Sequence, residues 1–260
     1  MENAIIHAAE QLRSAWDNGR PGEPVRDNFT ADDTLSGYMI QAYNDRVWQA
    51  RGRRRVGRKL ALTNKAVQQQ FGMSQPCYGT LYADMVQVEG TEIVRRALTE
   101  QRVETEIAVV LKRDLTHERH TILDIIDACD YLLPAFEIVD SRVTGWNVKS
   151  CDFIADNTSA SLVVLGTKPV RLTEVDITRS QMVTRRGDTV VSEGSASACL
   201  GHPLAALQWL ADELVRAGNP LRAGEFVITG ALGPAIPAAP GDVFTAEISG
   251  LGTVATTFAR

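Results

Sequence analysis

An α+β fold is predicted by three features of the chain. Its first third has helical periodicity, nearly everything after about Val86 has strand composition, and one long helix interrupts the strands. Helices gathered at the front with strands massed behind lack the alternation of a parallel α/β sheet. This reading divides the chain into a mainly helical N-terminal region, residues 1–75, and a metal-binding mixed-β region, residues 76–260, that carries the chemistry.

Met1–Arg20 reads as an amphipathic helix, with Ile5, Ile6, Ala9, Leu12 and Trp16 at helical spacing and Asn18-Gly19-Arg20-Pro21-Gly22 as its stop. A second helix starts near Thr30, a plausible N-cap, and runs through Leu35, Met39, Ala42 and Val47 to Gly52. A strand at Arg55–Leu60 and a helix at Thr63–Phe71 follow, then a turn-rich passage, Gln75-Pro76-Cys77-Tyr78-Gly79. Strand composition marks Arg102–Leu111, Leu133–Val139, Ser161–Leu165, Gln181–Arg185, Thr189–Ser192, Phe226–Thr229, Phe244–Ile248 and Thr253–Phe258. Arg186-Gly187-Asp188 and Gly250-Leu251-Gly252 read as hairpin tips, where glycine supplies the positive φ. The interrupting helix is His202–Ala217, with a stripe of Leu204, Leu207, Leu210 and Leu214 and a stop at Gly218.

Composition excludes several classes of function. With 260 residues, 44% of them hydrophobic, the chain can build a core without disulfide or metal staples. The net charge is −5, and the basic run of Arg51, Arg53, Arg54, Arg55 and Arg58 is too narrow for a nucleic-acid footprint. Cys77, Cys129, Cys151 and Cys199 lie far apart without a CxxC pair, which points to a reduced, cytoplasmic protein. No apolar stretch approaches the roughly 20 residues of a membrane span.

The carboxylates carry the chemical signal. Glu104 and Glu106 sit two apart in a β-branched segment, so both leave one face of a strand, in register with the apolar Ala108 and Val110. Two acids on such a row repel unless a cation lies between them, and all-oxygen ligation favours Mg²⁺ or Mn²⁺ over zinc. Glu137 repeats the anomaly in Leu132-Leu133-Pro134-Ala135-Phe136-Glu137-Ile138-Val139. Competing readings are a solvent-facing edge strand for Glu104 and Glu106, and an ion pair with Arg142 for Glu137. His117 and His120 have an HxxH spacing, but in a polar loop that offers no helix to hold the pair.

Several segments resemble one family in order along the chain: Val56-Gly57-Arg58-Lys59-Leu60-Ala61-Leu62-Thr63, Gly79-Thr80-Leu81-Tyr82-Ala83-Asp84-Met85, Arg102-Val103-Glu104-Thr105-Glu106, Leu133-Pro134-Ala135-Phe136-Glu137, Ala155-Asp156-Asn157-Thr158-Ser159 and Leu200-Gly201-His202-Pro203. The chain is similar to the 2-keto-4-pentenoate hydratases of the fumarylacetoacetate hydrolase superfamily. That resemblance implies a mixed β-roll with an N-terminal helical region, and Mg²⁺ or Mn²⁺ on Glu104, Glu106 and Glu137. It implies a small 2-oxo acid or dienol substrate, and a homo-oligomer, a pentamer or decamer, with a decarboxylase as a further candidate partner. The family's lysine falls on Lys59, with Ala61 in place of the usual second glycine. Cys77 stands where these hydratases carry an acid, which leaves Lys59 and Asp84 as acid/base candidates and places Cys77 beside the substrate. Asn157 and Ser159 are the candidates to orient the substrate carboxylate. Burial of Lys59 beside a metal is expected to lower its pKa, and the competing reading is a surface lysine paired with Asp84. The alternatives to a hydratase are a 4-oxalocrotonate-type decarboxylase on the same scaffold and a non-catalytic partner subunit.

Overall fold

The computed structural model describes residues 1–30, 32–94 and 100–260. In chain order the elements are α1 (Glu2–Asn18), α2 (Thr34–Ala50), β1 (Arg55–Ala61), α3 (Lys65–Gln70), β2 (Cys77–Tyr82), β3 (Val86–Val88), β4 (Glu92–Ile93), β5 (Arg102–Leu111), α4 (Ile122–Ala128), β6 (Cys129–Val139), α5 (Ser150–Ala155) and β7 (Ala160–Leu165). They continue with β8 (Gln181–Arg186), β9 (Thr189–Ser195), α6 (Pro203–Arg216), β10 (Phe226–Ile228), β11 (Ile236–Pro237), β12 (Val243–Ile248) and β13 (Gly252–Phe258).

Eight strands form one mixed sheet in the order β2-β1-β10-β5-β6-β7-β3, with β11 pairing to the start of β5. The other five form a second sheet, β4-β13-β12-β8-β9. The larger sheet curls into a half-barrel, so the α+β expectation and the mixed β-roll hold. The division at residue 75 falls between β1 and β2, two strands hydrogen-bonded to each other, so the helical segment and the sheet share a strand pair.

Local chemistry explains the helices. α1 buries Ile5, Ala8, Ala9, Leu12 and Ala15 along one face and ends at Gly19, whose φ of 63° suits a residue without Cβ. α2 starts at Thr34 rather than near Thr30, because Asp33 is the cap and accepts from the Ser36 N–H at 2.9 Å. Its inner face mixes Ile40 and Trp48 with polar groups that bond across it: Gln41 donates to the Tyr78 and Ile154 carbonyls, and Asn44 donates to the Ala9 carbonyl. α6 lays Leu204, Leu207, Leu210 and Leu214 into the core formed with Ile107 and Val109 of β5. Between the two sheets, Phe136 and Ile138 pack with Phe244, Val254 and Phe258. No helix among the described residues is long and apolar enough to cross a membrane.

Three elements in particular differ from the sequence reading. The turn-rich passage at 75–79 opens directly into β2, and α4 and α5 arise where no helix was expected. Thr121 caps α4 by accepting from the Asp124 N–H, a local device that needs no long apolar period.

Candidate metal centre and active site

The site is built on the paired strands β5 and β6, with Lys59 supplied from β1, which lies one strand away across β10. β5 and β6 are antiparallel, with Glu104 directly opposite Glu137 and Glu106 opposite Ala135. Since Glu104 and Glu106 share a face of β5, all three carboxylates converge, and one oxygen from each lies within 4.8 Å of the others. Both strands are interior to the sheet, so the edge-strand reading fails. Arg142 is taken by Asp156, so the ion-pair reading for Glu137 fails in that form too.

Glu106 and Glu137 are fully buried, and Glu106 Oε1 and Glu137 Oε2 have no hydrogen-bond partner. Glu106 Oε2 accepts from the Gly230 N–H at 2.7 Å. Gly230 has a φ of 101°, and a Cβ there would meet Thr63 Oγ1 at 2.3 Å, so only glycine presents that N–H. Burial raises the pKa of all three acids, and for Glu106 the neighbouring Glu137 and Glu104 charges push it further. Orphaned oxygens, mutual repulsion and an all-carboxylate donor set fit a hard divalent cation. Glu104, Glu106 and Glu137 would hold it.

Lys59 is buried at the edge of this cluster. Its Nζ donates to the Thr158 carbonyl at 2.9 Å and lies 3.1 Å from Glu137 Oε1. Burial alone would lower its pKa, but the charges of Glu137, Glu104 and Glu106 outweigh burial and raise it. Facing these carboxylate charges, the side chain is favoured as an ammonium. The Thr158 carbonyl is aimed by an unusual turn, since Asn157, Thr158 and Ser159 all have positive φ, at 53°, 50° and 56°. The Asn157 amide ties this turn to β2, accepting from the Thr80 N–H at 2.7 Å and donating to the Thr80 carbonyl at 2.9 Å. Gly79 makes room, because a Cβ there would sit 2.6 Å from both Asn157 O and Thr158 Oγ1.

Other expected site residues lie elsewhere. Asn157 and Ser159 are buried behind the wall with their polar groups used internally, Ser159 Oγ donating to Asp156 at 3.0 Å. They flank Thr158, whose carbonyl accepts from Lys59, and neither lines the cavity. Cys77 is buried, desolvation pushes its thiol up to about 12, and it is not among the residues lining the cavity. Asp84 is half-exposed and bound to Arg53, whose guanidinium lies over the Tyr82, Trp48 and Trp16 rings. That cage holds Asp84 away from the carboxylates and from Lys59. His120 is buried, with Nδ1 2.7 Å from Asp212 of α6, a structural pairing that the HxxH spacing did not signal.

A cavity of about 850 Å³ opens onto Lys59 and Glu104. Its walls include the apolar Leu62, Val67, Phe71 and Phe153, and also Arg102 with Trp146. Sequence reasoning missed Arg102, since a basic residue at a strand start carries no pattern of its own.

Residues 47–259 match the family model described as fumarylacetoacetate (FAA) hydrolase C-terminal. The chain is 50% identical over 252 residues to 2-keto-4-pentenoate hydratase 2 of Dechloromonas aromatica (strain RCB), covering 97% of this chain and 96% of the relative. It is 44% identical over 257 residues to 2-keto-4-pentenoate hydratase of Burkholderia vietnamiensis, covering 99% and 98%. Among solved structures, 4-oxalocrotonate decarboxylase from Pseudomonas putida G7, complexed with magnesium and adipate, matches with a TM-score of 0.93 at 32% identity, covering 99% of this chain and 98% of that one. The chain thus belongs to the fumarylacetoacetate hydrolase family and is similar over almost its whole length to that family's 2-keto-4-pentenoate hydratases.

Proposed function

We propose that the chain is a divalent-metal-dependent hydro-lyase that adds water to 2-hydroxypenta-2,4-dienoate, or an alkyl-substituted homologue, giving 4-hydroxy-2-oxopentanoate in aromatic catabolism. The observation that carries this reading is the convergence of Glu104, Glu106 and Glu137 beside a buried Lys59 at a cavity of about 850 Å³. Identity supports a hydratase over a decarboxylase, at 50% for a hydratase relative against 32% for the decarboxylase structure. Mg²⁺ or Mn²⁺ suits the oxygen-only ligands, and the similar 4-oxalocrotonate decarboxylase is complexed with magnesium.

A divalent cation held by the three glutamates would act as a Lewis acid toward the 2-oxo group. The reaction itself is two proton movements around one addition. The C2 hydroxyl loses its proton as C5 gains one, which leaves a C3–C4 double bond conjugated to the carbonyl. Water then adds at C4, and C3 takes up a proton. Lys59 Nζ is the group this chain offers for proton transfer, because it is an ammonium whose position is fixed by the Thr158 carbonyl and Glu137. Phe71 and Phe153, 5.4 Å apart, form an apolar wall that excludes water from the hydrocarbon part of the substrate. A cytoplasmic homo-oligomer, a pentamer or decamer, is part of this reading. Leu123 on α4 is 71% exposed and Val94 is 74% exposed, apolar surface of the kind a subunit contact covers.

The test is direct. With Mg²⁺, purified protein should bleach the ultraviolet absorbance of 2-hydroxypenta-2,4-dienoate, and EDTA should stop it. Release of carbon dioxide from 2-oxohex-3-enedioate at a comparable rate would instead favour the decarboxylase.

A further inference from the structure

The cavity wall holds one cation that the proton transfers above do not use. Arg102 precedes Glu104 by two residues on β5, so its side chain leaves the same face of the strand and lines the cavity beside it. Its guanidinium carbon lies 4.4 Å from the centre of the Trp146 ring. The Trp146 indole N–H is in turn tied to the Glu100 carbonyl at 2.9 Å. Stacking of this kind orients the guanidinium plane and uses none of its N–H donors. Among the described residues, the Arg102 side chain has no ion-pair or hydrogen-bond partner. It is thus an oriented cation with its donors open.

Charge balance says what those donors await. Three carboxylates are offset by a divalent cation together with the Lys59 ammonium, so an anionic substrate enters with a charge that nothing in the cluster neutralises. Lys59 and Arg102 are the only lysine or arginine among the described residues lining the cavity. A guanidinium fork matches a carboxylate with two parallel hydrogen bonds, a fit that neither an ammonium nor a hydroxyl offers. Asn157 and Ser159 are unavailable for this task, since their side chains are spent on Thr80 and Asp156.

We propose that Arg102 is the receptor for the substrate carboxylate, and that Trp146 is the positioning residue that holds its guanidinium plane. The proposal rests on the reading of the site as one for a 2-oxo acid. It places substrate selection on a residue distinct from the three metal-binding glutamates and from the proton-transfer group.

Two measurements on the Mn²⁺-loaded protein test it together: calorimetric binding of 2-oxopentanoate, a saturated analogue that cannot be hydrated, and steady-state kinetics with the dienoate. Arg102→Gln should weaken analogue binding and raise KM by about 10- to 100-fold, the range expected for hydrogen bonds to a charged group. Its kcat should fall much less, while Mn²⁺ affinity and melting temperature stay near those of the parent. Arg102→Lys should recover part of the loss, and Trp146→Ala should show a smaller loss of the same kind. Unchanged analogue affinity in Arg102→Gln, with normal turnover by the parent, would overturn the role of Arg102 and leave the hydratase reading standing. A parent protein that neither binds 2-oxopentanoate nor turns over the dienoate would overturn both.

Discussion

Glu106 carries a heavy electrostatic load. It is fully buried, faces two other carboxylates, and receives a single backbone N–H from Gly230. Glu106→Gln keeps the shape and removes the charge, so it should abolish tight Mn²⁺ binding and lower kcat by at least about a thousandfold, the scale for losing a Lewis-acid centre. Circular dichroism and melting should show a folded protein, because removing one of three repelling acids relieves repulsion in the chelated state. The raised carboxylate pKa values also set a pH dependence. Metal ligation requires deprotonated acids, and Glu137 is raised to about 7 by burial, against the pull of Lys59. Mn²⁺ affinity measured by calorimetry should therefore fall as pH drops from 8 through 7 to 6, where protons compete for the site. A flat profile across that range would contradict the raised pKa. These three glutamates were legible in the sequence because an acid on an apolar strand row is anomalous by itself. Asp84 was not, because the aromatic cage around Arg53 that claims it is assembled from α1, α2 and β2.

At the scale of elements, the turn at Asn157–Ser159 is what aims a carbonyl at Lys59. Gly79→Ala would push a methyl group against that turn, at 2.6 Å from two of its oxygens, and should cost about 1–3 kcal/mol as an overpacked contact. Because the displaced oxygens belong to the same turn as the Thr158 carbonyl that accepts from Lys59, kcat should fall while KM changes little, which thermal melts and kinetics separate. A drop in stability with kcat intact would show that the turn does not position Lys59. Long elements were readable because their apolar residues repeat over several turns, as Leu204, Leu207, Leu210 and Leu214 do on α6. α4 and α5 were not, since seven and six residues give too few repeats to mark a period. β2 hid within a passage rich in turn-forming residues; its strand state follows from pairing with β1, a non-local contact.

For the whole molecule, the two sheets and the helices that flank them serve to bring a cavity against a charged strand pair. Glu104 and Glu137 are 33 positions apart in sequence numbering, yet the β5–β6 register places them opposite each other. The grouping of helices before strands made the α+β class legible, and the order of the family's segments made the roll legible. The cavity was not, because its wall draws on α3, on the loop that holds Trp146, and on the segment around Leu232, which meet only in three dimensions. The most direct test of the central claim is an anomalous-scattering map from crystals soaked in Mn²⁺. It should show one strong peak with oxygens of Glu104, Glu106 and Glu137 about 2.0–2.6 Å away, the range for hard divalent cations on carboxylates. A peak at another cluster, or none at these glutamates in crystals whose dissolved protein still hydrates the dienoate, would contradict it.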